Sequence, residues 1–303
     1  MTCIKKRAWA PCLFLAVLAG PAFAAESPSP LSAEISAGIG YDSNVAIDEI
    51  DQVSRVGDTT AELDAEVEYS KPLGARTTAK FSYHLSQTLY QQYDAFNLQT
   101  HIATADLRHD FGSWDGSLTY RHIEARVDGD SFLTMNQISP SASRRFGKSF
   151  MVRGSYTYSD KSFRGRPTRD GRNDAVAVDG YVFLKGSDSY VSGGLKVAHE
   201  DAADDVFSYD SQSLKLRGVR KLTLGRTRLE TQLSWAFEDR SYVGALPAIG
   251  EPRHDRRSVL SANVEMPVGR RGYFAVELES GNYDSNLPSA DYSQGVATAR
   301  LGW

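Results

Sequence analysis

Cysteine is nearly absent from this 303-residue sequence. Its 2 copies, Cys3 and Cys12, both lie within the first dozen residues. Beyond that point, disulfides and cysteine-based metal or thiol chemistry are excluded. Long apolar runs are missing as well. After the first two dozen residues no stretch of about 18 apolar residues occurs, so no transmembrane helix is predicted. The rest of the chain must therefore be held together by its own core or by a surrounding bilayer.

The first residues are typical of a targeting segment. Lys5, Lys6 and Arg7 precede an apolar stretch over residues 8–19, and Ala22 and Ala24 offer a small-residue cleavage site. This pattern predicts a cleaved secretory signal peptide over residues 1–24, a short segment over 25–31 and one domain over 32–303. Cleavage lowers Lys plus Arg from 34 to 31 and leaves Asp plus Glu at 38, so the mature net charge is −7. This acidity argues against nucleic acid as a partner.

From residue 32 onward, apolar and polar residues alternate with a period of two, which predicts β-strands. In residues 79–89, for example, Phe81, Tyr83 and Leu85 alternate with Ser82 and His84. No segment leaves room for a crossover helix, so consecutive strands should pair antiparallel. The fourteen predicted segments are 32–41, 60–69, 76–89, 98–110, 115–125, 135–145, 150–159, 174–184, 190–199, 210–222, 228–238, 258–266, 273–282 and 293–303.

Every second connection between these segments is short, and the others are longer and polar. Short ones lie near Gly112, Gly147, Gly186 and Gly225, and the long ones include 42–59, 160–173, 200–209 and 239–257. This asymmetry and an even strand count are typical of bacterial outer-membrane barrels, with tight periplasmic turns and long external loops. We therefore predict an all-β fold, a transmembrane antiparallel up-and-down β-barrel of about 14 strands in contact with outer-membrane lipid. A soluble β-sandwich or a secreted β-solenoid is the alternative.

The distribution of aromatic residues favours the barrel. Many of the 15 Tyr and 13 Phe fall near strand ends, where an interfacial girdle would lie, although general β-propensity also enriches them in strands. The chain closes with Ala297, Ala299, Leu301 and Trp303 on one face. A terminal aromatic residue in this position resembles the C-terminal signal read by the bacterial barrel-insertion machinery, which makes that machinery an expected partner through Trp303.

The polar face of each strand should line the lumen of such a barrel. Fourteen tilted strands give a backbone radius of roughly 14 Å, too wide for side chains to fill, so the lumen should be open, lined by water or plugged. Any occlusion would come from loops folding inward, and 42–59 and 239–257 are the longest candidates. The polar faces predict an acidic wall at Glu34, Glu62, Asp64, Glu66, Glu68, Glu265, Glu277 and Glu279, with Arg300 among them. A mostly basic wall is predicted at Lys80, Arg108, Arg121, Arg153, Lys196, Lys215, Arg217 and Arg228. The two walls would create a transverse field that aligns hydrated polar solutes, or their charges would simply pair and solvate the wall.

A tetrapeptide, Tyr-Asp-Ser-Asn, occurs twice, as Tyr41, Asp42, Ser43 and Asn44 and as Tyr283, Asp284, Ser285 and Asn286. Asp, Ser and Asn side chains bond their own backbone and end strands well, which is the structural interpretation. The functional alternative is a paired rim site for a cation or a partner.

Pro140 lies within the sixth predicted strand and should mark a defect in the ladder, because proline has no N–H to donate. Arg164, Arg166, Arg169 and Arg172 make the fourth external loop basic, either as ordinary solvated charge or as a contact for anions. Catalysis finds little support, because the 6 histidines are scattered and no nucleophile–histidine–acid spacing occurs. We expect no catalytic residues, no metal and no cofactor.

The opening run from Ala37 to Val45 and the closing run from Tyr283 to Asn286 resemble the barrel of surface lipoprotein assembly modifier proteins, or that of a related outer-membrane porin. The resemblance implies a fourteen-stranded barrel over most of the mature chain and a role in moving lipoproteins to the cell surface. That family also carries a periplasmic helical repeat domain before the barrel, which this sequence does not show, so substrate capture would need a separate protein.

Two functions follow as hypotheses. One is translocation of a macromolecule to the cell surface, with a lipoprotein or a polysaccharide as cargo. The other is a monomeric porin for passive diffusion of small hydrophilic solutes. A receptor or adhesin acting through external loops is a third class. The first predicts a lumen that is usually closed, and the second predicts steady conductance.

Overall fold

Fourteen long antiparallel strands of the chain close into one β-barrel in this computed structural model, which describes residues 30–225 and 227–303. The predicted signal peptide lies outside the described residues. A two-stranded hairpin, β2 (Ala46–Ile47) and β3 (Gln52–Val53), forms a separate sheet that pairs with no barrel strand. The barrel strands are β1 (Leu31–Asp42), β4 (Asp58–Pro72), β5 (Thr77–Tyr90), β6 (Leu98–Asp110), β7 (Asp115–Val127), β8 (Asp130–Phe146), β9 (Phe150–Phe163), β10 (Gly171–Phe183), β11 (Ser189–Ala202), β12 (Tyr209–Leu224), β13 (Thr227–Leu246), β14 (Glu251–Val268), β15 (Gly272–Ser285) and β16 (Tyr292–Gly302).

The predicted strand order and pairing are confirmed. Each barrel strand pairs with its neighbours in sequence, and β1 closes the ring by pairing with β16 on one side and β4 on the other. Closure leaves no free sheet edge. Among the described residues, no helix is both long and apolar enough to cross a membrane.

Short turns lie at one end of the barrel, and five of the seven connections at the other end are longer loops of six or more residues, so the predicted asymmetry holds except at two short connections. The turns over 111–114, 147–149, 184–188 and 269–271 each contain a glycine at positive φ, a conformation that glycine adopts without a steric penalty. We call this the periplasmic end. The connections at the other end are L1 (43–57), L2 (91–97), L3 (128–129), L4 (164–170), L5 (203–208), L6 (247–250) and L7 (286–291).

The prediction of a long loop over 239–257 is wrong. Strands β13 and β14 continue through most of that range and meet at the short connection L6. The extension is stable because it packs on L5: the Val243 amide donates to the Ser208 carbonyl at 2.9 Å, and Gly244 lies against the backbone of Val206. The other long loop, predicted over 42–59, is present and corresponds to L1 over residues 43–57.

The side-chain alternation gives the barrel an apolar outside and a polar inside. Large apolar residues such as Ile39, Leu195 and Leu233 are exposed on the outer surface, at 70%, 65% and 57%. Phe111 and Trp114 stack on each other at a centroid distance of 4.0 Å beside a periplasmic turn, where an interfacial aromatic residue is expected. Phe183, at the end of β10, does not belong to such a girdle, because it faces inward and is buried against Tyr181 and Tyr190.

The ladder defect predicted at Pro140 is confirmed. Strand β8 pairs with β9 up to Ile138 and again from Ser141, with a gap between them. The Ser139 hydroxyl bridges the gap by donating to the Tyr156 carbonyl at 3.0 Å. A side-chain donor thus bonds a carbonyl at the point where proline offers no N–H.

Candidate functional site in the lumen and at its outer constriction

The predicted wall residues all lie on the inward face of the barrel. In β1 and β4, Ile35, Ile39, Leu63 and Val67 are exposed on the outside, so the alternating residues between them point inward. The same alternation places the inward residues of the other strands. The acidic residues come from β1, β4, β14 and β15, which flank the closing strand β16, and the basic ones come from β5 to β13.

The acidic wall is partly neutralised by Arg300. The Arg300 guanidinium donates to the Glu62 carboxylate at 2.6 Å and to the Asp64 carboxylate at 2.8 Å, and it lies 3.8 Å from Glu277. Its reach across β1 depends on Gly38, which pairs with Glu62 on one side and Arg300 on the other. A Cβ at Gly38 would approach the Arg300 Cβ to 2.9 Å. The glycine therefore lets the ion pair span the closing seam.

The remaining wall charges show both pairing and excess. On the acidic side, Lys80 pairs with Glu68 at 2.7 Å. On the basic side, Arg108 pairs with Asp115 at 3.2 Å and Arg228 with Asp188 at 2.9 Å. Arg300 and Lys80 pair with only some of the eight carboxylates of the acidic wall. Negative and positive side chains therefore stay concentrated on different arcs of the lumen.

Loop L1 folds into the lumen and is anchored by an apolar cluster. Val45 and Ile47 are fully or almost fully buried and pack with Phe96 of L2, at 0%, 4% and 8% exposure. Partly buried Val127 and Phe132, from β7 and β8, extend the cluster along the wall. Burying two branched side chains of this size stabilises the inward position by about 3–6 kcal/mol before the entropic cost of ordering the loop.

The tip of L1 is an acidic 3-10 turn, Asp48–Ile50, that continues into Asp51 and reaches the opposite wall. One Asp51 carboxylate oxygen accepts from Arg169 of L4 at 2.5 Å, and the other accepts from Arg253 of β14 at 2.7 Å. Arg257 of β14 donates to the Asp48 carboxylate. Arg169 also donates to the Glu49 carbonyl at 2.9 Å. The tip is therefore held by arginines distant in sequence, and L1 narrows the outer lumen.

These arginines are themselves positioned by aromatic rings. Arg169 lies over the Phe207 ring at 4.1 Å from its centroid, and Arg253 lies over Tyr242 at 4.9 Å. Arg240 of β13 lies over Tyr209, also at 4.9 Å, and donates to Glu238 at 2.9 Å. Ring contacts of this kind hold the guanidinium planes in fixed orientations.

Burial in this network changes the acidity of two L1 carboxyl groups. Burial, together with the neighbouring charge of Asp48, raises the pKa of Glu49 to about 7, against the opposing effect of Arg257 and Arg240. Burial also acts to raise the pKa of Asp51, but the guanidinium groups of Arg253 and Arg169 outweigh it and hold that pKa below its ordinary value. Asp51 is therefore a permanent anion at neutral pH, whereas Glu49 titrates there.

Corresponding residues of the two Tyr-Asp-Ser-Asn copies face opposite sides of the barrel wall. Tyr41 is exposed outside and Asp42 is buried inside, whereas Tyr283 is buried inside and Asp284 is exposed outside. Asp42 accepts from the Asn44 backbone amide at 2.9 Å, and the Ser285 hydroxyl accepts from the Leu287 backbone amide at 3.0 Å. Each copy thus ends its strand through internal hydrogen bonds. The opposite facing argues against one rim site shared by Asp42 and Asp284.

Ser241, His254 and Asp239 meet on the outer face of the β13–β14 extension. The Ser241 Oγ lies 3.4 Å from His254 Nδ1, and His254 Nε2 lies 3.5 Å from the Asp239 carboxylate, which Arg256 also contacts at 3.1 Å. Both histidine distances are long for hydrogen bonds, and Arg256 competes for the carboxylate. Among the residues that the structure describes, no group of three or more His, Cys, Asp or Glu side chains is arranged to hold a metal ion.

The predicted site does not include Arg253, Asp255 and Arg257, because the polar character of residues 239–257 predicts a loop. His254 and Arg256, which lie between them, are polar or charged as well, so no alternation with a period of two marks the start of β14. Arg169 lies in the predicted basic loop L4, but the sequence does not predict that its side chain points inward to the tip of L1. Arg164 and Arg166 of the same loop are exposed, whereas the predicted loop position of Arg172 is wrong, because Arg172 lies in β10 and is exposed there.

Comparison with known proteins identifies the fold class. No family model matches the sequence, and no curated protein matches it. The fold is similar to an anion-selective porin from Comamonas acidovorans, with 10% identity, a TM-score of 0.53 and coverage of 90% of this chain and 98% of that one. It is also similar to OmpT of Vibrio cholerae, with 9% identity, a TM-score of 0.51 and coverage of 91% and 99%. For OmpF of Salmonella typhi in complex with daunomycin the values are 10%, 0.51, 90% and 97%.

The chain is a β-barrel of the bacterial outer membrane. Its closed fourteen-stranded fold, its apolar outer surface and its structural neighbours agree on this.

Proposed function

We propose that this barrel is a pore for passive diffusion of small hydrophilic solutes, with L1 as the constriction of its outer lumen. The observation that carries the proposal is the charge-lined interior: carboxylates cluster around β16, basic residues line the opposite arc, and L1 crosses the outer half between them. A field across a narrow, wet passage orients small polar solutes and excludes apolar ones.

The size of the barrel supports small cargo. A backbone radius of roughly 14 Å for fourteen strands, reduced by inward side chains and by L1, admits hydrated ions and small metabolites but not a folded protein. The structural similarity to porins supports the same conclusion at the level of the fold.

Single-channel recording of the refolded protein in a planar bilayer tests the proposal. We expect a stable open level and, after replacement of Glu62, Glu66 and Glu68 by Gln and Asp64 by Asn, a shift of ion selectivity towards anions. A change of gel mobility on heating should first confirm that each variant is folded. Silence of the folded wild-type protein, or selectivity unchanged by the four replacements, would overturn the proposal.

Translocation of a lipoprotein or polysaccharide to the cell surface is the second candidate function. It is favoured by the firm anchoring of L1, whose apolar cluster and arginine contacts would suit a lumen that opens only for its cargo. It predicts a silent wild-type barrel that conducts once the L1 tip is removed. The same recording therefore separates the two functions.

A further inference from the structure

The outer lumen contains a carboxylate-binding arrangement whose present occupant is part of this chain. Two guanidinium groups, Arg169 from L4 and Arg253 from β14, each bind a different oxygen of the Asp51 carboxylate. A carboxylate shared between two arginines in this way is bound as a ligand would be, because each planar guanidinium matches an oxygen lone pair. We call this pair the arginine clamp.

The clamp is rigid and largely shielded from water. The Arg253 side chain is 4% exposed, is fixed by the Asp255 carboxylate at 2.7 Å and lies over the Tyr242 ring. Arg169 is held over Phe207. Charge-assisted hydrogen bonds to groups already in position lose little entropy on binding, so this geometry favours tight recognition of an anion.

The occupant, by contrast, comes from a loop. Asp51 has a left-handed backbone conformation, with φ of 56°. L1 carries a second acid, Asp48, which is bound by Arg257, four residues along β14 from Arg253. Asp48 and Asp51 thus present two carboxylates to three arginines. This is the pattern of charges that a small dicarboxylate would offer.

We propose that the arginine clamp, with Arg257, is a binding site for small dicarboxylate solutes, and that Asp51 and Asp48 of L1 are an internal ligand that the solute displaces. The inference deepens the proposed pore function by naming a solute class. Binding of the solute removes the tip contacts of L1, so a bound dicarboxylate widens the constriction through which it passes. The tip then returns to the clamp when the solute leaves.

Binding of succinate to the refolded, detergent-solubilised protein, measured by calorimetry, tests the site directly. Succinamide, the uncharged analogue, is the control compound. In Asp51→Asn the internal ligand loses its charge, and asparagine tolerates the left-handed conformation, so we expect about tenfold tighter succinate binding than in the wild type. Arg169→Gln, in a loop outside the barrel wall, should abolish binding, as should Arg253→Gln if its heat-modified mobility shows that it folds.

Lys221→Gln is the matched control, because Lys221 faces the periplasmic end, where it pairs with Glu230 and Asp188. It should bind succinate as the wild type does. Equal succinate affinity in the wild type, Asp51→Asn and Arg169→Gln would overturn the clamp, as would equal binding of succinamide. If those affinities are equal while the pore conducts, the diffusion pore stands without the clamp. If the affinities differ as expected and no variant conducts in a bilayer, the clamp stands and the diffusion pore fails.

Discussion

At the scale of single residues, the outer lumen is organised by charges whose partners lie far away in the chain. Arg253 and Asp51 are separated by 202 residues and Arg257 and Asp48 by 209, yet each pair is in direct contact. Removing one member of a buried pair leaves the other charge without compensation, which is more costly than losing an exposed pair. Replacements at these positions should therefore displace L1 from the lumen wall while the barrel itself stays folded.

Glu49 should make the docking of L1 depend on pH. Its carboxyl has an ordinary pKa of 4.5 when L1 is free and about 7 when L1 is docked. The docked state binds the proton more tightly, so its stability is full below 4.5 and falls as pH rises through 7. We expect a larger conductance at pH 8 than at pH 5.5 in bilayer recordings.

The variant Glu49→Gln should lose most of this difference, because it carries no titrating group at that position. Asp94→Asn, in exposed L2, removes one carboxyl from the same rim and should keep the wild-type pH profile. An unchanged pH profile in Glu49→Gln would contradict the assignment of the pH dependence to Glu49.

Asp51 acts in the opposite direction, since its lowered pKa means that its contribution to the docking of L1 is lost only in acid, below its ordinary pKa of 3.8.

At the scale of elements, the closing seam and L1 are the two features that define the lumen. The seam needs small inward residues in β1: a Cβ at Gly40 would meet the Thr60 hydroxyl at 2.6 Å, and one at Gly38 would meet the Ala299 carbonyl at 2.9 Å. This explains the alternating glycines of the opening motif in physical terms. They make room for the ion pairs of Arg300 across β1.

Replacement of Gly38 by valine should weaken the seam. The added side chain forces Arg300 away from Glu62, and overpacking of this kind costs about 1–3 kcal/mol. We expect the gel-mobility shift to occur at a lower temperature than in the wild type. Gly154→Val is the control, because Gly154 has open space around it and should tolerate the change. Equal transition temperatures in the two variants would show that the seam does not depend on Gly38.

Shortening L1 should widen the pore without unfolding the barrel. The tip residues 47–53 pair only within the hairpin β2–β3 and contribute no ladder to the barrel. Replacing them with a glycine–serine linker removes Ile47 from its cluster and Asp51 from its arginines. We expect a larger single-channel conductance with unchanged heat-modified mobility. A conductance equal to that of the wild type would mean that L1 does not limit the passage.

At the scale of the whole molecule, the barrel separates apolar and polar residues between lipid and lumen, and it separates the two signs of charge within the lumen. The second separation follows from closure, which brings β15, β16, β1 and β4 together although they lie at the two ends of the chain. A field across the lumen is a property of the closed ring and of no single strand.

Neutralising the basic arc should therefore shift ion selectivity in the direction opposite to neutralising the acidic one. Arg121, Arg153 and Lys215, all inward-facing, are suitable for replacement by Gln. In a potassium chloride gradient the reversal potential of this triple variant should move towards that of a cation-selective pore. Movement in the same direction as the acidic-wall variant would contradict the transverse field.

The sequence by itself determined the strand count, the short turns at one end, the barrel class and the facing of each wall residue. These follow from a period of two, which is local: once Phe81 faces lipid, Lys80 and Ser82 must face the lumen. The glycine-containing turns are equally local, because a positive φ is a property of one residue.

Only the tertiary structure decided where L1 lies and what holds it. The range 239–257 is polar enough to be interpreted as a loop, and it forms strands because β13 and β14 pair with each other and pack on L5. That pairing places Arg253 and Arg257 opposite the tip of L1. Contacts between residues two hundred positions apart depend on the closure of the ring, and no local pattern in the sequence encodes that distance.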